Sequence, residues 1–472
     1  MTALNQTEIF YLSATQLVDL YKSKQLSPVE VTKDVLTRIT AVNDAVNAFV
    51  KIDGETALVK ARESENRWMA GTPLGLVDGV PTTIKDLLLT KGSRTGRGSK
   101  ATVNAGPETE DAPSVQNLRK KGAIFIGRTT TPEFGWKGIT DSPLTGITRN
   151  PWNTSKTPGG SSGGAAVAAA LGMGALHIGT DGGGSVRIPA GFTGVFGLKP
   201  TANRIAIYPP SAFGTLSHVG PITRTVADAA LMMNVMTLSD TRDWLVLPPD
   251  TFDYRTGLEG LEKGLRIAYS ENFGYAKVDP EVATAVKDAA RVFEELGAQV
   301  DAEDPGFDDP IDHFNKLWYW GCHKMISAYP RKSWAEMDPG LLEIAEIGAN
   351  YSLAEYSQAE DDRVNLGRFM NVFHDNYDLL LTPALAIPAF DVGLEHPEPA
   401  PGNRWSDWTP FSYPFNLTGQ PAAVVPCGFT HAGLPVGLQI VGARHADHLV
   451  MQAAAAFENI RPFRMPTAPK DS

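Results

Sequence analysis

Between Pro158 and Pro200 two glycine-rich turns, Gly159-Gly160-Ser161-Ser162-Gly163-Gly164 and Gly182-Gly183-Gly184-Ser185, bracket an alanine-rich stretch from Ala165 to Leu171. This run of small residues constrains the fold more than any other part of the chain. The alanine stretch suits a tightly packed helix, and each turn abuts an apolar segment, so the pair belongs inside a domain rather than in a flexible linker. Glycine has no Cβ to clash at positive φ, so consecutive N–H groups are free to point at one site and form an anion-binding nest. A nest beside a serine hydroxyl is what acyl transfer requires. The hydroxyl attacks a carbonyl, and the N–H groups hold the oxyanion that develops in the transition state. Phosphate-binding loops fit poorly: no lysine follows the glycines, and Arg187 occupies the place where a dinucleotide fingerprint needs a small residue. A nucleophile elbow fits one turn, because Gly159-Gly160-Ser161-Ser162-Gly163 satisfies Gly-x-Ser-x-Gly, with His445 and Asp447 as candidates to complete a Ser-His-Asp triad of an α/β-hydrolase-type esterase. That reading leaves the second turn unexplained.

Strand and helix signals alternate around these turns. Ser27-Pro28-Val29-Glu30 is a capping box with proline at the first helical position, and Val31, Val35, Ile39 and Val42 follow at helical spacing. Gly79-Val80-Pro81-Thr82-Thr83-Ile84-Lys85-Asp86 reads as a turn and a short β-branched strand ending in two charges. Ala123 to Gly127 reads as a buried strand, and Asp279-Pro280-Glu281 opens a helix that stops at Gly297, with a strand from Val300. Such alternation indicates an α/β architecture with a largely parallel sheet. The proline-rich piece from Pro388 to Pro410 is expected to be a long surface loop.

Composition narrows the function. The formal charge is −11, from 53 acidic against 42 basic side chains over 472 residues, which argues against a nucleic-acid surface. Only Cys322 and Cys427 are present, so cysteine supplies neither a disulfide framework nor a zinc cluster, and both are expected to be buried structural thiols. His323 beside Cys322 does not make a dyad, because adjacent residues point apart. No signal peptide or membrane span is read, and a reducing cytoplasm fits best.

From Gly79 to Pro200 the chain resembles the amidase signature family. The shared pieces are Gly-Val-Pro with Lys85 four residues beyond the proline, the Gly-Gly-Ser-Ser-Gly-Gly turn, and Gly-Thr-Asp-Gly-Gly-Gly-Ser-Val-Arg-Ile-Pro-Ala ending at Ala190. Family-like pieces recur at Thr131 to Gly135, Gly197 to Thr201, Phe415 to Ala422 and Leu434 to Gln439. The resemblance implies a single large α/β domain whose central mixed, largely parallel sheet is covered by helices on both faces. Residues 1–70 would pack on it as a helical segment, 79–200 would be the catalytic core, and 305–377, which match no family pattern, would shape substrate preference. It implies Ser185 as nucleophile, Ser161 as bridging hydroxyl after a cis Gly160-Ser161 bond, and Lys85 as base. The N–H groups of Gly182, Gly183, Gly184 and Ser185 would form the oxyanion hole, and Ser162, Asp181 and Arg187 would support it.

A lysine of ordinary pKa is neutral in only about one molecule in 2,500 at pH 7, so burial would have to depress that of Lys85. No metal or other cofactor is implied, and the expected partner is a small amide, with neither nucleic acid nor membrane. Whether the chain is a homodimer is left open. Aromatic residues crowd Trp318 to Trp320, Tyr329, Trp405 to Tyr413, Tyr208 and Phe213, and an aromatic mouth would suit aryl amides, although esters and carbamates undergo the same chemistry. The competing class is the A subunit of a glutamine-dependent aminoacyl-tRNA amidotransferase, from whose Thr-Gly-Gly-Ser turn this Gly-Gly-Gly-Ser departs.

Overall fold

The computed structural model describes residues 8–397 and 402–467. Its first helices are α1 (Ala14–Lys22) and α2 (Pro28–Val46), the latter opened by the expected capping box between Ser27 and Glu30. β1 (Phe49–Ile52), α3 (Gly54–Ala70), β2 (Pro81–Lys85), α4 (Pro113–Lys120) and β3 (Ile124–Thr129) follow, then a two-residue hairpin of β4 (Asp141–Ser142) and β5 (Gly146–Ile147). The alanine-rich stretch forms α5 (Gly163–Ala170) and leads to β6 (Leu176–Asp181), α6 (Arg187–Thr193), β7 (Phe196–Lys199), β8 (His218–Thr223) and α7 (Val226–Met236). β9 (Arg266–Tyr269), α8 (Pro280–Glu295) and β10 (Gln299–Ala302) form a βαβ unit, with Gly297 at φ +93° ending the helix where expected. α9 (Ile311–Ile326), α10 (Pro339–Ala349) and α11 (Leu353–Phe373) precede β11 (Leu379–Pro383), α12 (Pro414–Thr418), β12 (Ala422–Phe429), β13 (Pro435–Gly442) and α13 (Asp447–Ile460).

Eleven strands form one sheet in the order β1-β3-β2-β6-β8-β7-β12-β13-β11-β9-β10. Parallel pairing holds β3-β2-β6 near one end and β11-β9-β10 at the other, and antiparallel pairs join them through the middle. The mixed α/β sheet expected from the sequence is thus present. Both faces are covered, which the two-residue period of a strand makes visible. Leu379 and Leu381 of β11 join an apolar cluster with Val286, Phe293 and Val450, whereas Leu380 joins another with Trp318, Ile344 and Phe411. Val31, Val35 and Ile39 of α2 belong to the first cluster, so the N-terminal helices pack on the sheet. Among the described residues, no helix is long and apolar enough to cross a membrane.

The expected surface loop needs correction. Residues 398–401 lie outside the described residues, but Trp405–Trp408 forms a 3-10 turn with both tryptophans buried. Two indoles carry too much apolar surface to leave in water, and the Trp408 Nε1–H finds an acceptor in the carbonyl of Glu395 at 3.1 Å.

Candidate active site

Two strands bring the polar groups together. β2 and β6 are parallel neighbours, with Ile84 opposite Ile178, so their C-terminal ends carry Lys85 and Thr180 to the same edge of the sheet. Open α/β sheets bind ligands at that edge. Lys85 Nζ lies 2.7 Å from Ser161 Oγ, 2.9 Å from Ser162 Oγ and 2.9 Å from Thr180 Oγ1. The lysine is completely buried, and no carboxylate among the described residues is within ion-pair distance of it. Burial therefore pushes its pKa well below that of a free lysine, opposed only by the more remote charge of Asp181.

The first turn enters α5 through a cis Gly160-Ser161 bond, as the resemblance implied. Ser162 ties the two turns together. Its N–H donates to the Ser185 carbonyl at 3.0 Å, and its hydroxyl donates to the Thr180 carbonyl at 3.1 Å while accepting from the Thr180 N–H at 3.2 Å. Ser161 and Ser185 line one cavity, although no hydrogen bond joins their hydroxyls among the described residues.

The second turn differs from expectation at one residue. Gly184 sits at φ +122°, a conformation only glycine adopts readily, and its N–H donates to Asp181 Oδ1 at 2.8 Å. That donor is already engaged and is not available to an oxyanion. The physical reason is that the Asp181 carboxylate needs donors of its own once it is buried. The N–H groups of Gly182, Gly183 and Ser185 have no acceptor among the described residues, and Gly182 and Ser185 line the cavity.

Asp181 and Arg187 form no surface salt bridge. Both are fully buried, and Arg187 meets the carboxylate through Nε and Nη2, each at 3.0 Å. The guanidinium also donates to Asn416 Oδ1 at 2.6 Å and Gln439 Oε1 at 2.8 Å, and Asn416 Nδ2 donates back to Asp181 Oδ1 at 2.9 Å. Burial favours the neutral acid, but the charge and hydrogen bonds of Arg187, helped by Lys199 and Asn416, hold the Asp181 carboxyl well below the usual carboxylate range. Asn416 and Gln439 lie in the family-like pieces Phe415 to Ala422 and Leu434 to Gln439, but nothing local in the sequence tied them to Arg187. Thr180 was likewise inside a quoted motif without a role.

A cavity of about 410 Å³ opens over the turns. Tyr208, Phe213, Trp318 and Tyr329 line it as read from the sequence, and Phe134 and Arg97, which were not singled out, line it too. Trp318 stacks on Phe213 with centroids 3.9 Å apart, and the Phe134 and Tyr329 rings lie 5.0 Å apart. Trp405, Trp408, Phe411 and Tyr413 do not reach the cavity but fill the apolar core behind it. Only α9 and the residues just after it represent the 305–377 segment at the wall. Neither His445 nor Asp447 lines the cavity. Asp447 instead accepts from the N–H and hydroxyl of Thr201, at 2.7 and 2.6 Å, so the elbow reading finds no histidine-acid pair beside Ser161. Cys322 and Cys427 are both buried, and burial raises the pKa of each thiol.

Comparison with known proteins agrees over nearly the whole chain. A family model described as Amidase matches residues 30–451. An acylamidase of Rhodococcus erythropolis is 38% identical over 470 residues, covering 98% of each chain. The A subunit of the glutamyl-tRNA(Gln) amidotransferase of Moorella thermoacetica is 34% identical over 476 residues, covering 96% of this chain and 97% of that one. The solved structure of a bacterial aryl acylamidase of the amidase signature enzymes superposes with a TM-score of 0.90 at 33% identity, covering 97% of both chains.

Proposed function

Given that this chain belongs to the amidase signature family and is an amide hydrolase, we propose that it cleaves aryl or similarly bulky amides through an acyl-enzyme on Ser185, with Ser161 and Lys85 as the proton relay. The observation that carries this reading is the solvation of Lys85. An ammonium ion has three N–H donors and is stable when buried only if a charge balances it. Three hydroxyls around Nζ can satisfy an amine with two N–H donors and one lone pair as well as an ammonium, and burial with no carboxylate in ion-pair range among the described residues favours the amine. The hydroxyl of Ser162 already donates to the Thr180 carbonyl and so accepts from Nζ. With Ser162 and Thr180 Oγ1 accepting, a neutral Lys85 at 2.7 Å from Ser161 Oγ keeps its lone pair for the Ser161 proton during the reaction.

In the proposed sequence, Ser161 passes its proton to Lys85 and takes one from Ser185 as the Ser185 oxygen attacks the carbonyl. The N–H groups of Gly182, Gly183 and Ser185 receive the oxyanion, and Asp181 and Arg187 hold their turn in shape. Collapse returns a proton through the same relay to the departing amine. Water then repeats the cycle on the acyl-enzyme and releases the carboxylic acid.

The aryl preference is supported by Trp318, Phe213, Phe134 and Tyr329 around the cavity and by the likeness to an acylamidase and an aryl acylamidase. Esters and carbamates are within reach of the same tetrahedral chemistry. A second reading, the A subunit of a glutamyl-tRNA(Gln) amidotransferase, is favoured by the relatives of that name. It predicts glutaminase activity that a partner protein stimulates, whereas the aryl-amidase reading predicts anilide hydrolysis by the chain alone. The assignment of the nucleophile is tested by labelling with a fluorophosphonate. Ser185→Ala should lose the mass adduct. An adduct that persists in Ser185→Ala but disappears in Ser161→Ala would move the nucleophile to the first turn.

A further inference from the structure

The cavity departs from the charge of the molecule around it. The chain is formally −11, yet the Lys and Arg side chains lining the cavity are Arg97 and Lys324, and the one carboxylate there, Asp181, is neutralised by Arg187. Neither Arg97 nor Lys324 has an ion-pair partner or a side-chain hydrogen bond among the described residues. Lys324 is exposed, but Arg97 is partly buried, and other arginines withdrawn from solvent are paired: Arg67 with Asp78, Arg204 with Asp250 and Arg242 with Asp240.

Arg97 is also held unusually. It sits at φ +52° between two glycines, its N–H donates to the Asp86 carbonyl at 3.0 Å, and its carbonyl accepts from Phe134 N–H at 2.7 Å. These bonds fix the backbone of Arg97 in a left-handed position and so set where its side chain starts. The turn adjoins α9, because Phe134 packs on Tyr329 just beyond that helix. Trp318 abuts the turn after β6, with a Cβ built on Gly182 falling 2.9 Å from its ring, and Gly135 beside Phe134 lies against Ser161, with a built Cβ 3.3 Å from its hydroxyl. Six residues of helix put Lys324 about 9 Å farther along the axis. That span is comparable to an aromatic ring with a substituent opposite its amide.

We infer that Arg97, supported by Lys324, recognises a carboxylate or similar acid carried by the substrate at the end of the cavity walled by Phe134 and Tyr329. This rests on the amide-hydrolase reading and narrows its substrate class to aromatic amides bearing an anionic group. Recognition is by charge-assisted hydrogen bonds from the guanidinium, whose planar fork matches a carboxylate.

The test compares 4-acetamidobenzoate with neutral 4-acetamidotoluene in the wild type, Arg97→Gln, Arg97→Lys and Lys324→Gln. The readout is the acid-to-neutral ratio of kcat/KM, since comparing that ratio between proteins cancels the electronic difference between the leaving groups. Arg97→Gln should lower the ratio about tenfold or more, Arg97→Lys should retain part of it, and Lys324→Gln should lower it less. A ratio within about twofold of wild type in Arg97→Gln would overturn the inference. If the wild type cleaves neither amide, the failure belongs to the proposed substrate range, and calorimetric binding to the Ser185→Ala protein judges the inference. There 4-acetamidobenzoate should bind about tenfold more tightly than to Ser185→Ala/Arg97→Gln, and equal or absent binding would refute recognition by Arg97.

Discussion

The turn after β6 and the wall formed around α9 border the same cavity but are held in place by different means. The turn rests on a fully buried lattice in which Asp181, Arg187, Asn416 and Gln439 satisfy one another, and almost every polar atom has an assigned partner. The wall is aromatic and aliphatic contact, with Trp318 on Phe213 and Tyr329 on Phe134, ending in Arg97 and Lys324. A buried polar lattice allows no partial change, because removing one member leaves the others unpaired in a low dielectric. An apolar wall can be recut at modest cost. On the proposed function, reaction type would rest where substitution is expensive and substrate preference where it is inexpensive.

The strongest way to break this comparison is to remove the base. Lys85→Ala should lower the acylation rate by several orders of magnitude, with a larger loss on amides than on activated esters, because a poor amine leaving group needs the returned proton. Equal losses on both, in single-turnover assays, would assign Lys85 to positioning alone.

Next comes the lattice itself. Arg187→Met should destabilise the fold by about 3–5 kcal/mol, measured by denaturant unfolding, since it strands a buried carboxylate. The pH dependence has a definite sign. The folded-state pKa of Asp181 is depressed below the unfolded value of about 3.9, so its contribution is present above that pH and lost as pH falls toward the folded value. A variant of wild-type stability would contradict the lattice as the support of the turn.

Substitution in the wall should do least. Tyr329→Ala should change aryl-amide kcat/KM by roughly three- to tenfold relative to an aliphatic amide, the scale of one aromatic contact. An equal loss on both substrates would mean that this wall serves the chemistry as well as the fit.

The contrast also explains what could be read from the sequence. The turns were legible because glycine is demanded locally, and Lys85 because its strand and motif place it. The partners of Arg187 were not, since Asn416 and Gln439 come from 229 and 252 residues away and only the finished sheet delivers them. The engagement of the Gly184 N–H by Asp181 was hidden for a similar reason, because a motif names donors without saying which are already in use. The tryptophans at 405 and 408 gave no local sign of whether they line a cavity or fill a core. Packing put them in the core and left the cavity to Trp318, Phe213 and Phe134.

The central claim, that a buried uncharged lysine drives acylation, is met most directly by the pH dependence of single-turnover acylation on a non-ionisable anilide. Lys85 has its pKa lowered by burial, so its basic form fills as pH rises through that depressed value. His218, which also lines the cavity, is held neutral by burial and by Lys199 and should contribute no inflection of its own near its ordinary value. The account predicts a rising limb with an apparent pKa well below the roughly 10.4 of free lysine, levelling in the alkaline range and absent in Lys85→Ala. A limb near 10, or a depressed limb that survives in Lys85→Ala, would contradict it.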